Sequence, residues 1–316
     1  MSDVGQNEKA TQNRIVKLIS NKLGYKYLGD WQDRANNQNI EKEILKKWLI
    51  DERGISETLY PKIERQIEQA LALGGGRKLY EANKEFYTLL RYGVKDKENP
   101  NDKNKTVWLI DWKNVDKNEF YIAEEVTIKG QNTKRPDIVL YVNGIALGIL
   151  ELKRSKVGVT EGIRQNLDNQ KATFIRDFFT TIQLVMAGND SQGLRYGTIE
   201  TTEKYYLGWK EENPDYNSKI DTRDKKYLNT LNCECQGENI SGVLDCDIIR
   251  LLNKKRFLEL IHDFIVYDSG TKKTCRQNQY FGIKEAQEHI ARREGGIIWH
   301  TQGSGKSLTM VWLAKW

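Results

Sequence analysis

From Ile145 to Leu150 the chain reads Ile-Ala-Leu-Gly-Ile-Leu, six residues without a polar side chain, and then changes at once to Glu151-Leu152-Lys153. A short apolar run of this kind reads as a strand covered on both faces, because a strand with one wet face alternates apolar and polar residues. Charges at the end of a buried strand lie where an ionised group is stable only among partners. The run therefore calls for an α/β fold, with a sheet flanked by helices and a cluster of polar groups at one strand end.

The first ninety residues read as helices. Ile15, Leu18, Ile19 and Leu23 recur on one face, and Ile44, Leu45, Trp48 and Leu49 on a second. A third helix over 56–73 stops at Gly74-Gly75-Gly76, and a fourth over 79–90 stops at Gly93. After a charged loop at 95–105, β-type runs cover 107–111, 120–128, 137–142 and 145–152. A helix is expected over 160–179, strands over 182–187, 195–200 and 205–209, a polar excursion over 210–238, and a closing helix over 247–266. Asp268-Ser269-Gly270 and a lysine pair interrupt two helical patterns, which sets a boundary between a first domain, residues 1–268, and a second, residues 269–316. The second is expected to hold a helix over 281–293, a strand over 296–300, a glycine-rich loop and a last helix from 308.

Composition excludes some classes. At 316 residues the chain can bury a sizeable core. Lys and Arg outnumber Asp and Glu by 50 to 44, a net charge of +6, which admits a polyanionic partner but falls short of a domain that coats nucleic acid by charge alone. The polar opening lacks the apolar core of a signal peptide, and no run approaches the ~18 apolar residues of a membrane span, so a cytoplasmic protein without a membrane partner is expected. Cys233, Cys235, Cys246 and Cys275 do not follow zinc-ligand spacing and are expected as reduced thiols.

Asp137 precedes Glu151 by fourteen residues, and Lys153 shares a strand face with Glu151. Hydrolysis of a phosphodiester needs a cation that activates water and shields charge, and hence two carboxylates converging on one point. Register decides whether they converge. A two-residue turn at Asn143-Gly144 pairs Asp137 with Leu150 and turns Glu151 to the opposite face. A three-residue loop with Gly144 in the left-handed region, or a bulge elsewhere, restores the opposition of Asp137 and Glu151.

Pro136-Asp137 followed by Glu151-x-Lys153 resembles the PD-(D/E)xK nuclease superfamily. The resemblance implies that Asp137, Glu151 and the Leu152 backbone carbonyl hold Mg2+, and that Lys153 positions or deprotonates the attacking water. Relatives of the RecB nuclease carry Gln-x-x-x-Tyr on the next helix to orient the lysine and the DNA. Here Gln165 matches, but Asn169 stands where the tyrosine would be.

The second motif is Gly303-Ser304-Gly305-Lys306-Ser307, between the apolar run Gly296-Ile297-Ile298-Trp299 and a helical pattern. Strand, glycine-rich turn and helix N-terminus are the setting in which backbone N–H groups cradle phosphates, with Lys306 on the β and γ phosphates of ATP and Ser307 on its Mg2+. His300 replaces the glycine with which the general pattern begins. Upstream, Arg276-x-x-Gln279-Tyr280 resembles the adenine-reading segment of superfamily 2 helicases, with Gln279 on the base and Gln287 as its rival.

A nuclease motif ahead of a superfamily 2 motor, with Trp299-His300-Thr301-Gln302 leading into the cradle, is similar to the R subunit of type I restriction enzymes, HsdR. Residues 83–91 are similar to that family's early helix. The resemblance implies an ATP-dependent, DNA-translocating endonuclease subunit that cuts double-stranded DNA beside methyltransferase and specificity subunits. It also implies a P-loop, RecA-like motor of which 269–316 is only the start, making the chain the N-terminal part of a larger subunit. Two other readings remain: a nuclease-like docking module that binds DNA without cutting, and a defence or repair nuclease-helicase outside type I restriction.

Overall fold

The computed structural model describes residues 8–209, 211 and 242–316. The expected excursion over 210–238, with Cys233 and Cys235, lies almost wholly outside the described residues. The chain is a mixed α/β protein built on one seven-stranded sheet.

Helix α1 (Glu8–Leu23) leads into strand β1 (Lys26–Asp30). Helices α2 (Lys42–Asp51), α3 (Tyr60–Leu71) and α4 (Leu79–Tyr92) follow, and a small ribbon pairs β2 (Val94–Asp96) with β3 (Lys105–Val107). The sheet continues through β4 (Phe120–Glu124), β5 (Ile138–Val142) and β6 (Ile145–Leu152). Helix α5 (Val159–Asn169) then leads to β7 (Leu184–Asn189), β8 (Gly193–Gly197) and β9 (Leu207–Gly208). Their order across the sheet is β1-β4-β5-β6-β7-β8-β9; β1–β4 and β6–β7 are parallel and the other neighbours antiparallel. The strand β1, polar and largely exposed, has no apolar alternation to mark it in the sequence.

The apolar run is the central strand it was expected to be: every residue of β6 is buried. Ile145, Leu147, Leu150 and Leu152 pack on one side with Leu49, Phe86, Leu252 and Phe257, while Ala146 and Ile149 face a second core with Val126, Phe179 and Val185. Helices thus cover the first face, and the second is closed by helix α5, through Val159 and Ile163 on Ala187, and by irregular chain around a 3-10 turn, Arg176–Thr180. That turn also corrects the long helix expected over 160–179, because α5 ends at Asn169.

The β5–β6 register is decided by a device that the sequence left open. Val142 pairs with Ile145 and Tyr141 with Ala146, a two-residue turn in which Asn143 (φ 52) and Gly144 (φ 84) are both left-handed. The three-residue loop does not form. Leu140 then pairs with Gly148, so Leu147 is an extra residue, and Ile138 faces Leu150. This bulge sets Asp137 opposite Glu151. The turn is held from outside by Asn143, whose side chain donates to Leu109 O at 3.0 Å and accepts from Glu119 N at 2.8 Å.

Further corrections lie towards the C-terminus. The helix expected over 247–266 is two, α6 (Val243–Leu252) and α7 (Lys254–Asp263), broken at Asn253, whose extended backbone lets its side chain accept from Lys255 N at 3.0 Å. Residues 268 and 269 lie in a hairpin of β10 (Val266–Asp268) and β11 (Thr271–Lys273), turned by Ser269 (φ 47) and Gly270 (φ 85). Helix α8 (Gln277–Ala291) and helix α9 (Lys306–Lys315) follow. The strand expected over 296–300 is absent: no described strand pairs with it, and Ile297 and Trp299 are 89% and 88% exposed. An apolar run forms a strand only where a neighbouring strand takes its backbone hydrogen bonds.

Gly144→Ala tests the turn. A Cβ there meets Glu41 O at 2.8 Å on a backbone at φ 84, so the substitution is expected to cost about 2 kcal/mol or more in urea denaturation.

Candidate active site

At the end of β6 the chain turns from apolar to charged inside the protein. Glu151 is fully buried and Asp137 is 9% exposed. The bulge sets Asp137 opposite Glu151 on one face of the sheet, where the charge of Asp137 acts on Glu151. Asp137 Oδ2 also accepts from Leu152 N at 2.6 Å. Lys153 enters from the side, its ammonium 3.2 Å from Glu8 Oε1.

Electrostatics follow from burial. Burial pushes the Asp137 carboxyl up to about 6, opposed by the Leu152 N–H and the Lys153 charge. Burial, and then the neighbouring Asp137, push Glu151 well above the usual carboxylate range. For Lys153 burial acts downward, but Asp137, Glu151 and Glu8 outweigh it and hold the ammonium form. Two carboxyls that resist joint ionisation at an open cleft form a hard-oxygen pair that a divalent cation would relieve. Among the described residues there is no cluster of three or more His, Cys, Asp or Glu side chains arranged for a metal. A cation here would rest on these two carboxylates, a backbone carbonyl and water.

Helix α5 completes the cluster. Gln165 Nε2 donates to Glu151 Oε2 at 2.7 Å, and Asn169 Nδ2 lies 3.5 Å from Glu151 Oε1. Asn169, the departure from the family pattern, therefore faces the same carboxylate as Gln165. Gly162 permits this approach, since a Cβ there would meet Ala187 at 3.1 Å and Lys153 at 3.4 Å.

Helix α1 supplies residues that sequence reasoning missed. Gln12 donates to Glu124 Oε2 at 2.9 Å and to Asp137 O at 3.4 Å, and Lys9 reaches Glu124 at 3.3 Å and Glu125 at 3.2 Å. The available signal was Thr11 and Gln12 on the otherwise apolar face of α1, where both are buried. Glu8, Lys9, Gln12, Lys134, Arg135, Asp137, Lys153 and Gln165 all line one cleft of about 610 Å³.

The glycine-rich loop lies apart from this cleft. Gly303 (φ 78) and Gly305 (φ 87) adopt the left-handed backbone that favours glycine, and α9 begins at Lys306. Lys306 Nζ donates to His300 O at 3.2 Å, while Ser304 Oγ donates to Thr301 O at 2.7 Å. Lys306 and Ser307 are exposed. Gln279 is buried, with its Nε2 on Gly305 O at 3.0 Å and its Oε1 accepting from Arg276 N at 2.8 Å. Gln287 is buried on the same helix. Cys275 is a buried free thiol, and no helix among the described residues is long and apolar enough to cross a membrane.

A mixed sheet that sets Asp137 and Lys153 in one cleft, with Glu151 buried beside Asp137, defines an α/β protein with a candidate hydrolytic centre. Comparison with known proteins makes this specific: the family described as the type I restriction enzyme R protein N terminus matches residues 5–204, and the chain belongs to it. Residues 278–316 match the SWI2/SNF2 ATPase family. A Methanocaldococcus jannaschii protein named as the endonuclease subunit of type I restriction enzyme MjaIXP is 30% identical over 324 residues, covering 96% of this chain and 30% of the relative. The HindI endonuclease subunit of Haemophilus influenzae is 27% identical over 256 residues, covering 73% of this chain and 22% of its own length. The chain thus spans less than a third of the length of either relative.

The raised Asp137 pKa has a consequence for stability. The folded state keeps its proton where the unfolded chain, with an ordinary value near 4, has released it, so stability falls as pH rises through about 4 to about 6. Asp137→Asn removes that loss and is expected to be up to about 3 kcal/mol more stable than the parent at pH 8 and equal to it near pH 4. Urea denaturation at the two pH values checks the sign.

Proposed function

We propose that this chain bears the nuclease of a type I restriction endonuclease subunit, a PD-(D/E)xK centre that cuts double-stranded DNA with Mg2+, joined near residue 268 to the start of an ATP-driven motor. The carrying observation is the convergence of Asp137, Glu151 and Lys153 through the Leu147 bulge. Membership of the R protein family supports it. The names of the relatives support a multi-subunit system acting on DNA; methyltransferase and specificity subunits are the partners this reading assigns.

Asp137 and Glu151 would hold the cation, with the Leu152 carbonyl beside them. Bound Mg2+ supplies an activated water and shields charge on the phosphate. Gln165 and Asn169 fix both oxygens of Glu151, so the carboxylate is oriented before substrate arrives. Lys153 carries a positive charge to the cleft wall, where it would stabilise a phosphate as negative charge develops. At the second centre, Lys306 and the N–H groups opening α9 would hold ATP phosphates, Ser307 the associated Mg2+, and Gln279 the adenine side.

Asp137→Ala, Glu151→Ala and Lys153→Ala, each in the assembled complex, are expected to lower DNA cleavage by at least about 10²-fold while leaving ATP hydrolysis within about twofold. Plasmid linearisation and phosphate release measured on the same samples check this. Equal loss of both activities in a folded variant would refute the division into two centres.

A further inference from the structure

Four cations line the carboxylate cleft: Lys9, Lys134, Arg135 and Lys153. Three are committed to acids. Lys9 reaches Glu124 and Glu125, Arg135 lies 2.7 Å from Glu125, and Lys153 lies 3.2 Å from Glu8. Lys134 meets no carboxylate among the described residues. Its ammonium sits over the ring of Phe174, 4.1 Å from the centroid. An aromatic face holds a cation in place without neutralising it.

The loop carrying Lys134 is fixed at three further points. Ile128 and Lys134 exchange backbone hydrogen bonds at 2.8 and 3.1 Å across its base. Asn132 donates to Thr173 O at 2.8 Å. Gly130 lies so close to Phe174 that a Cβ would stand 1.9 Å from its carbonyl oxygen, which only glycine tolerates. A surface loop built to be mobile does not need such a close approach; one that must hold a charge at a set place does.

We infer that Lys134 is a phosphate anchor: it takes a backbone phosphate of double-stranded DNA next to the one presented to Asp137 and Glu151, and so sets the position of the strand in the cleft. This rests on the nuclease reading above. The chemistry follows from the cleft's charge. Glu8, Glu125 and Asp137 line it and repel a polyanion, and the acid-paired cations offset them only locally. A strand can settle there only against a cation with charge to spare. A compact ammonium binds phosphate as a point charge and reads no base, so the contact is independent of sequence. Lys134 is thus a positioning residue and not a catalytic one.

The test is binding of a fluorescent duplex to the full chain in Ca2+ over a series of NaCl concentrations, with parent, Lys134→Met, Lys134→Arg and Gly130→Ala. Methionine keeps the packing stem on Phe174 and removes only the charge. Lys134→Met is expected to bind several-fold more weakly, with the slope of log affinity against log salt shallower by about 0.9, one phosphate contact. Lys134→Arg is expected to restore the slope, and Gly130→Ala to weaken binding without any change of charge. In cleavage by the assembled complex, Lys134→Met should raise KM and leave kcat nearly unchanged. A parental slope in a folded Lys134→Met, with the parent chain binding DNA, overturns the anchor and leaves the nuclease reading standing. Absence of DNA binding by the parent chain overturns both.

Discussion

The candidate site depends on one extra residue. Leu147 is the bulge that shifts β6 by one position against β5, and without it Glu151 would point to the opposite face of the sheet from Asp137. The shift is enforced from both ends. Asn143 and Gly144 close the turn with the twist that a two-residue hairpin requires, and below the bulge the side chains of β6 are locked into two separate cores. Slipping back would move every apolar side chain of one strand segment into the wrong core, so the geometry of two carboxyls is held by the burial of many aliphatic groups.

That coupling explains why the carboxyls tolerate their position. An isolated buried carboxylate is costly, and burial raises both of these groups. The surroundings offset part of this cost through the Leu152 N–H, the Gln165 and Asn169 amides and the Lys153 ammonium. The remainder is a standing preference for a cation or a proton. Functional sites commonly retain such local instability, supported by a rigid scaffold.

Much of this was legible in the sequence because it is written in local patterns. The unbroken run 145–150 gave a doubly covered strand, and the spacing of Asp137, Glu151 and Lys153 restricted the register to two solutions. Choosing between them needed tertiary information, since no local signal marks Leu147 as the extra residue. Lys9 and Gln12 were hidden for a similar reason: they lie more than a hundred positions from Asp137 and meet the site only because α1 crosses the sheet near β4 and β6. The run 296–299 misled in the opposite direction. Its apolar pattern is strand-like, yet a strand exists only with a partner, and among the described residues none is supplied.

The central claim is that Asp137 and Glu151 share one divalent cation. Anomalous X-ray scattering from crystals of the chain grown with Mn2+ tests it directly. A single peak within about 2.3 Å of an oxygen of each carboxylate is the expected result. A peak held elsewhere in the cleft, for example between Glu124 and Glu125, or no peak at saturating Mn2+, would contradict it.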